Sequence, residues 1–159
     1  MIVIKNLAFG AIAGAVGTMA LDVVSYGDMA IRGRAASDLP ADVVDKLAVR
    51  VGVGALAKSN DDMHPNAKNR RSAVGALMGY GVGVSIGAMY GLTRQHLRWI
   101  PWPIAGAVLG AVAMAASDVP ATKLQATDPS TWPASAWVSD IVPHLAYGMV
   151  VALTYESIA

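Results

Sequence analysis

Four apolar stretches dominate this chain, each near the roughly 20 residues that a helix needs to cross the hydrocarbon core of a bilayer. They run from about Leu7 to Tyr26, Ser72 to Leu92, Ile100 to Ala116 and Val138 to Ile158. Each is apolar all round and rich in Gly and Ala. In hydrocarbon every backbone N–H and C=O must be satisfied within the segment, so such runs fold as helices. Trp99, Pro101 and Trp102 mark the start of the third and shortest run, where amphipathic rings sit at headgroup level. Only 14% of the 159 residues are charged, against about 25% in a soluble domain. Mean hydropathy is +0.47. The expected fold is therefore all-α: one polytopic integral membrane domain over residues 1–159, built as a four-helix bundle.

The same composition excludes several functions. A formal net charge of +1 provides no field to attract nucleic acid. With no cysteine there is no disulfide, thiolate zinc site, iron–sulfur cluster or thiol catalysis. One basic residue, Lys5, precedes an apolar segment longer than a signal-peptide core, so the first run is expected to stay as a membrane helix.

Between the first two spans the pattern changes. After Arg32-Gly33-Arg34, Ser37 or Asp38 can cap a helix with Pro40 in its first turn. Leu39, Val43, Val44, Leu47, Ala48, Val51 and Ala55 then share one side, with Asp42, Asp45, Lys46 and Arg50 on the other. This predicts an amphipathic helix over about 38–57, lying on the membrane surface or docked on a partner. From Lys58 to Arg71 the chain is polar and turn-rich, as a flexible linker is. Four spans put Lys5, Arg94 and Arg98 on one side of the membrane and the other nine basic residues on the opposite side. The positive-inside rule then places the long loops in the cytoplasm and both termini outside.

Span two carries the strongest packing signal: Gly75, Gly79, Gly83, Gly87 and Gly91 fall at every fourth position. Glycine rows let another backbone approach closely, and in lipid it is close contact that holds helices together. Span one has Gly10, Gly14 and Thr18, span three Gly106 and Gly110, and span four Gly148 and Ala152. Extended toward the loop side, these rows reach Asp22, Arg71, Asp118, and His144 followed by Asp140. Charge inside a membrane faces the helix interior and pairs. The expectation is an intramembrane polar cluster of these five residues, with Asp22 paired to Arg71, His144 or both. It serves either as a register-fixing ion-pair network or as a vestibule for protons or cations.

An internal repeat is also visible. Ile12-Ala13-Gly14-Ala15-Val16 recurs as Ile104-Ala105-Gly106-Ala107-Val108, and each copy leads to an Asp-Val pair, Asp22-Val23 and Asp118-Val119. Spans two and four share Tyr80-Gly81 and Tyr147-Gly148. Two tandem hairpins, or chance matching in an Ala/Gly/Val-rich chain, both account for this.

Nothing in the sequence assembles catalytic chemistry. No Walker loop, dinucleotide fingerprint or nucleophile elbow is present. Ser85 lies mid-span without a base and is expected to bond back to its own helix. His64, His96 and His144 share no depth at which to ligate a haem. Asp140 and His144, one turn apart, with Asp118, suit an internal salt bridge better than a divalent metal. No catalytic residue, metal or cofactor is expected. Trp132 and Trp137 read as interfacial anchors or as a lid over the polar cluster.

Two stretches carry a resemblance. One runs from Leu21-Asp22-Val23-Val24-Ser25-Tyr26-Gly27-Asp28 to Arg32-Gly33-Arg34 and Asp38-Leu39-Pro40. The other runs from Ser117-Asp118-Val119-Pro120 through Asp128-Pro129-Ser130-Thr131-Trp132 to Asp140-Ile141-Val142-Pro143-His144-Leu145-Ala146-Tyr147-Gly148. Together they resemble a family of uncharacterised small four-helix membrane proteins common in actinobacteria. The entry to the last span is also similar to YagU-like inner-membrane proteins linked to acid tolerance. The first resemblance implies a bacterial plasma-membrane location and no activity. The expected role is a non-enzymatic accessory or assembly subunit, or a small homo-oligomer, whose partners are the lipid bilayer and other membrane subunits. The alternative is a small channel or transporter for protons or cations.

Overall fold

A computed structural model describes residues 2–53 and 65–159. The described residues form helices and short links, without strands. The helices are α1 (Ile2–Arg32), α2 (Leu39–Val51), α3 (Pro65–Arg94), α4 (Trp102–Lys123) and α5 (Ala134–Ile158), with a 3-10 turn at Pro129–Thr131. Four of them, α1, α3, α4 and α5, are long and apolar enough to cross a membrane. Each is longer than the apolar run that marks it in the sequence.

The local reasons for these boundaries are chemical. Gly33, at φ 63°, ends α1 by donating its N–H to Met29 O at 2.9 Å. Ser37 Oγ accepts from Leu39 N at 3.2 Å at the start of α2, and Gly52, at φ 75°, closes that helix. Only the Leu39–Val51 part of the expected amphipathic helix is thus helical among the described residues, and 54–57 lie outside them. The linker expected over 58–71 is corrected in its second half, because α3 begins at Pro65. Proline at a first helical position loses nothing, since that N–H has no intrahelical partner. The good helix formers Ala67, Lys68, Arg70 and Arg71 follow it into the apolar run. The segment 58–64 lies outside the described residues. The loop expected from Ser117 starts later too: α4 runs past Pro120 until Gln125 turns at φ 57°.

Packing joins α1 to both α3 and α5, α4 to α5, and α2 to α3, while α3 and α4 touch lightly. At the α1–α3 crossing a Cβ on Gly14 would stand 2.6 Å from Gly83 O, and one on Gly87 2.5 Å from Gly14 Cα. At the α4–α5 crossing a Cβ on Gly110 would stand 2.7 Å from His144 O, and one on Gly148 2.9 Å from Gly110 Cα. Gly10 and Gly91 meet at the first crossing and Gly106 faces Met149 at the second. The core is small: Ala13, Tyr147, Val151 and Ala152, with Tyr90 and Tyr155 edge-to-face at 5.4 Å. Large apolar side chains such as Ile12, Met19, Leu77, Met89, Ile104 and Leu153 point outward.

The five-glycine row of α3 does not serve one partner. Gly83, Gly87 and Gly91 meet α1, Gly75 meets Pro40 of α2, and a Cβ on Gly79 would meet no neighbouring element within 4 Å among the described residues. The reason is helical geometry. At 3.6 residues per turn a four-residue step advances about 40° beyond a full turn, so the row winds through about 160° from end to end. One straight neighbour cannot cover that arc.

Candidate functional site

The five ionisable residues that the small-residue rows single out divide into three places. Asp22 accepts a hydrogen bond from Tyr80 Oη at 2.7 Å, joining α1 to α3. Its expected pairing with Arg71 or His144 is corrected, since each of those groups is engaged elsewhere. Arg71 is buried one turn before Gly75, on the side of α3 that α2 covers. His144 Nδ1 lies 3.2 Å from Asp140 Oδ1 and 2.8 Å from Asp140 O.

The third place brings Asp118, Asp140 and His144 together between α4 and α5. Asp118 faces both Asp140 and His144. The placement follows from the glycine crossing, because Gly110 lies against the His144 backbone and so holds the next two turns of both helices at close range. Asp140 Oδ2 is buried and takes no hydrogen bond among the described residues. Two ionised carboxylates only accept, so no hydrogen joins them unless a proton is held there or His144 supplies its own. Chemically the trio can hold and pass a proton. No group of three or more His, Asp or Glu with metal-binding geometry occurs among the described residues.

Beside it lies a set that sequence reasoning missed. Asp28 Oδ2 accepts from Arg32 Nη2 at 2.6 Å and from Arg34 Nε at 2.5 Å. Ser139 of α5 is hydrogen-bonded to Arg32 and to Asp28, the latter at 3.3 Å. Asp28 and Arg32 stand at i, i+4, a signal readable from spacing alone. The reach from α1 to Ser139 was not readable.

A second missed feature is a pair of tyrosines. Tyr147 Oη donates to Gly83 O at 2.7 Å and Tyr155 Oη to Gly91 O at 3.1 Å, both buried. The equal offset along both chains means that α3 and α5 run parallel. Glycines without side chains leave their carbonyls open to such donors. Gly17 makes room for Tyr147, whose Cδ2 would stand 3.0 Å from a Cβ there.

The face of α2 also needs correction. Asp45, assigned to the polar side, is buried with Ala41, Val44 and Ala48. These four stand at i, i+3, i+4 and i+7, the stripe that meets α3. Asp42, Asp45 and Arg71 each have an interaction partner. Lys68 reaches Asp38 at 3.0 Å on the same junction. Asp45 and Arg71 are both buried, so the stripe that α2 turns toward α3 is not purely apolar.

The aromatic and serine readings are placed as follows. The Trp132 and Trp137 rings meet tilted at 58° with centroids 5.2 Å apart, and Trp132 Nε1 donates to Thr127 Oγ1 at 2.9 Å. Ser85 Oγ donates to Gly81 O at 2.7 Å, within its own helix. No family model matches the chain, and no curated protein or solved structure matches it.

Proposed function

We propose that this protein is a non-enzymatic accessory or assembly subunit of a membrane, a four-helix bundle that acts as a small homo-oligomer or within a larger complex. One observation carries this reading. The face of α3 marked by Ser72, Ala76 and Gly79 is exposed, and a Cβ on Gly79 would meet no neighbouring element within 4 Å among the described residues. A side-chain-poor strip left open in lipid suits a further helix, since small residues allow the close approach that stabilises association there. The α2 helix then lies at the membrane surface against α3, and the positive-inside rule puts the long loops in the cytoplasm and the termini outside. The membrane is the bacterial plasma membrane, the location implied by the sequence resemblance.

The test is purification of the full chain from native membranes at its native level. A stoichiometric partner or a defined homo-oligomer is expected, lost in Gly79→Leu while the helices stay folded, because a Cβ there meets no neighbouring element within 4 Å among the described residues. A lone monomer indifferent to Gly79→Leu overturns the proposal. A reporter fused to the C-terminus that is active in the cytoplasm overturns the orientation.

The second reading, a conduit for protons or cations, is supported by the Asp118–Asp140–His144 juxtaposition. Intramembrane ionisable groups commonly mark ion pathways. Proton flux into liposomes that is unchanged by Asp118→Asn and by His144→Gln removes it.

A further inference from the structure

At the opposite end of α4 and α5 from the Asp118 site, the ends of α1, α3 and α5 enclose a cleft of about 540 Å³. Its walls include Lys5, Asn6, Arg94, Gln95, Arg98 and Glu156. The charged groups facing it differ in how far they are already engaged. Arg94 is buried and fully committed: its Nε lies 2.5 Å from Glu156 Oε1, and its Nη1 donates to Leu97 O at 2.6 Å and Ile100 O at 2.9 Å. It neutralises Glu156 and holds the α3–α4 turn as one wall. Lys5 rests 5.0 Å above the Phe9 ring and makes one long bond, 3.4 Å, to Ala159 O. Arg98 makes no hydrogen bond or ion pair among the described residues and stands near the Tyr155 phenol. Among the side chains that line the cleft, Arg94 and Glu156 cancel, and Lys5 and Arg98 contribute two positive charges.

Its depth and surroundings identify what those charges meet. The cleft sits where four membrane-crossing helices end, beside Trp99 and Trp102 at the α3–α4 turn. Exposed indoles of this kind settle at the headgroup level. Ile2, which lines the cleft, is exposed and offers acyl chains an apolar surface beside the charges. We propose that this cleft binds the phosphodiester headgroup of an anionic glycerophospholipid, with Lys5 and Arg98 as its cationic contacts and Asn6 and Gln95 as neutral donors. Basic pockets between membrane helices take such headgroups because phosphate there faces low dielectric and little competing water. The inference needs only that the chain spans a membrane, and it stands apart from the identity of any protein partner.

Native mass spectrometry of the full chain in detergent tests it, with phosphatidylglycerol and phosphatidylcholine of identical acyl chains as probes. Wild type retains phosphatidylglycerol in preference to phosphatidylcholine. Lys5→Gln with Arg98→Gln lowers that retention by roughly thirtyfold, taking each surface cation as worth about fivefold. Lys5→Arg with Arg98→Lys keeps the charge and restores it. Lys46→Gln with Arg50→Gln, exposed on α2, leaves it unchanged. Undiminished retention in the Gln pair, or an equal fall in the α2 pair, overturns the proposal. Displacement of the lipid by millimolar inorganic phosphate overturns it as well, since the site then takes phosphate rather than a lipid.

Discussion

The α1–α3 pair and the α4–α5 pair cross through the same device and then diverge. In both, glycines on each helix bring backbones within a side chain's width: Gly10 and Gly14 against Gly83, Gly87 and Gly91 in one, Gly106 and Gly110 against Gly148 in the other. Beyond the crossing, the first pair carries Asp22 with a tyrosine donor, and the second carries Asp118 with Asp140 and His144. The connections differ as well. The first pair is linked through α2 and a long polar segment, the second by residues 124–133 with one 3-10 turn. Equal backbone packing therefore does not imply equal chemistry. The crossing depends on what is missing from a side chain, and the polar site on which group happens to stand two turns further along.

The largest effect expected from breaking this comparison is at the crossings themselves. Gly87→Val puts a branched side chain against the Gly14 backbone and costs about 3 kcal/mol or more, because neither helix axis can yield cheaply. Gly148→Val does the same to the second pair, while Gly79→Val, facing no atom within 4 Å, leaves the fold unchanged. Denaturation in mixed detergent, followed by far-UV circular dichroism, separates the three. If Gly79→Val destabilises as much as Gly87→Val, the crossing geometry is wrong.

Next in size is Arg94→Met, at the joint between the pairs. It removes the partner of Glu156 and two carbonyl contacts of the α3–α4 turn. Removing one member of a buried pair costs several kcal/mol, and partial exposure of Glu156 reduces this to about 2 kcal/mol. The same denaturation assay reads it, and loss of both charges in Arg94→Met with Glu156→Gln recovers part of the stability.

The tyrosines sharpen the contrast. Tyr147→Phe loses a buried bond to Gly83 O and costs about 1 kcal/mol, the ordinary scale for interhelical hydrogen bonds in membranes. Tyr80→Phe leaves the Asp22 carboxylate without its phenol donor in a lipid-facing position and costs at least as much, because a bond to a charged group is the stronger kind. A Tyr80→Phe midpoint above that of Tyr147→Phe contradicts this order.

The smallest effect lies in the second pair's connection. The Ser130 hydroxyl at 2.7 Å and the Ser130 N–H at 3.0 Å hold the Asp128 carboxyl below its ordinary value of 3.8. A carboxyl lowered on folding stabilises the turn above 3.8, and that contribution fades as pH falls through the lowered value. Trp132 fluorescence is expected to be flat from neutral pH down to that value and to shift below it. The shift is absent in Asp128→Asn.

Much of the architecture was legible in the residues alone. The four apolar runs specify helices because a bilayer offers no partner for free backbone groups, and the glycine rows specify close crossings because lipid supplies no hydrophobic drive and close packing takes its place. Of the five ionisable residues at the ends of the rows, Asp118, Asp140 and His144 stand together at the α4–α5 junction, while Asp22 and Arg71 stand elsewhere. Arg71 was not placed by its row. A row that winds about 40° per step leaves its first partner within a few turns, so the end of a row does not predict who stands there. Asp45 misled for a related reason: a helix shows its polar side to water only if no neighbour covers it, and α3 covers α2. Tyr147, Tyr155 and Ser139 gave no signal in advance. Their partners are backbone carbonyls and side chains on helices distant in sequence, brought within reach only by the relative rotation of whole helices. Periodicity along one chain thus determined which segments are long and apolar enough to cross a membrane and which of their surfaces are bare. The assignment of each bare surface to α1, α2, α5 or none was made by tertiary packing, because contact depends on the angles between helices and no single helix encodes them.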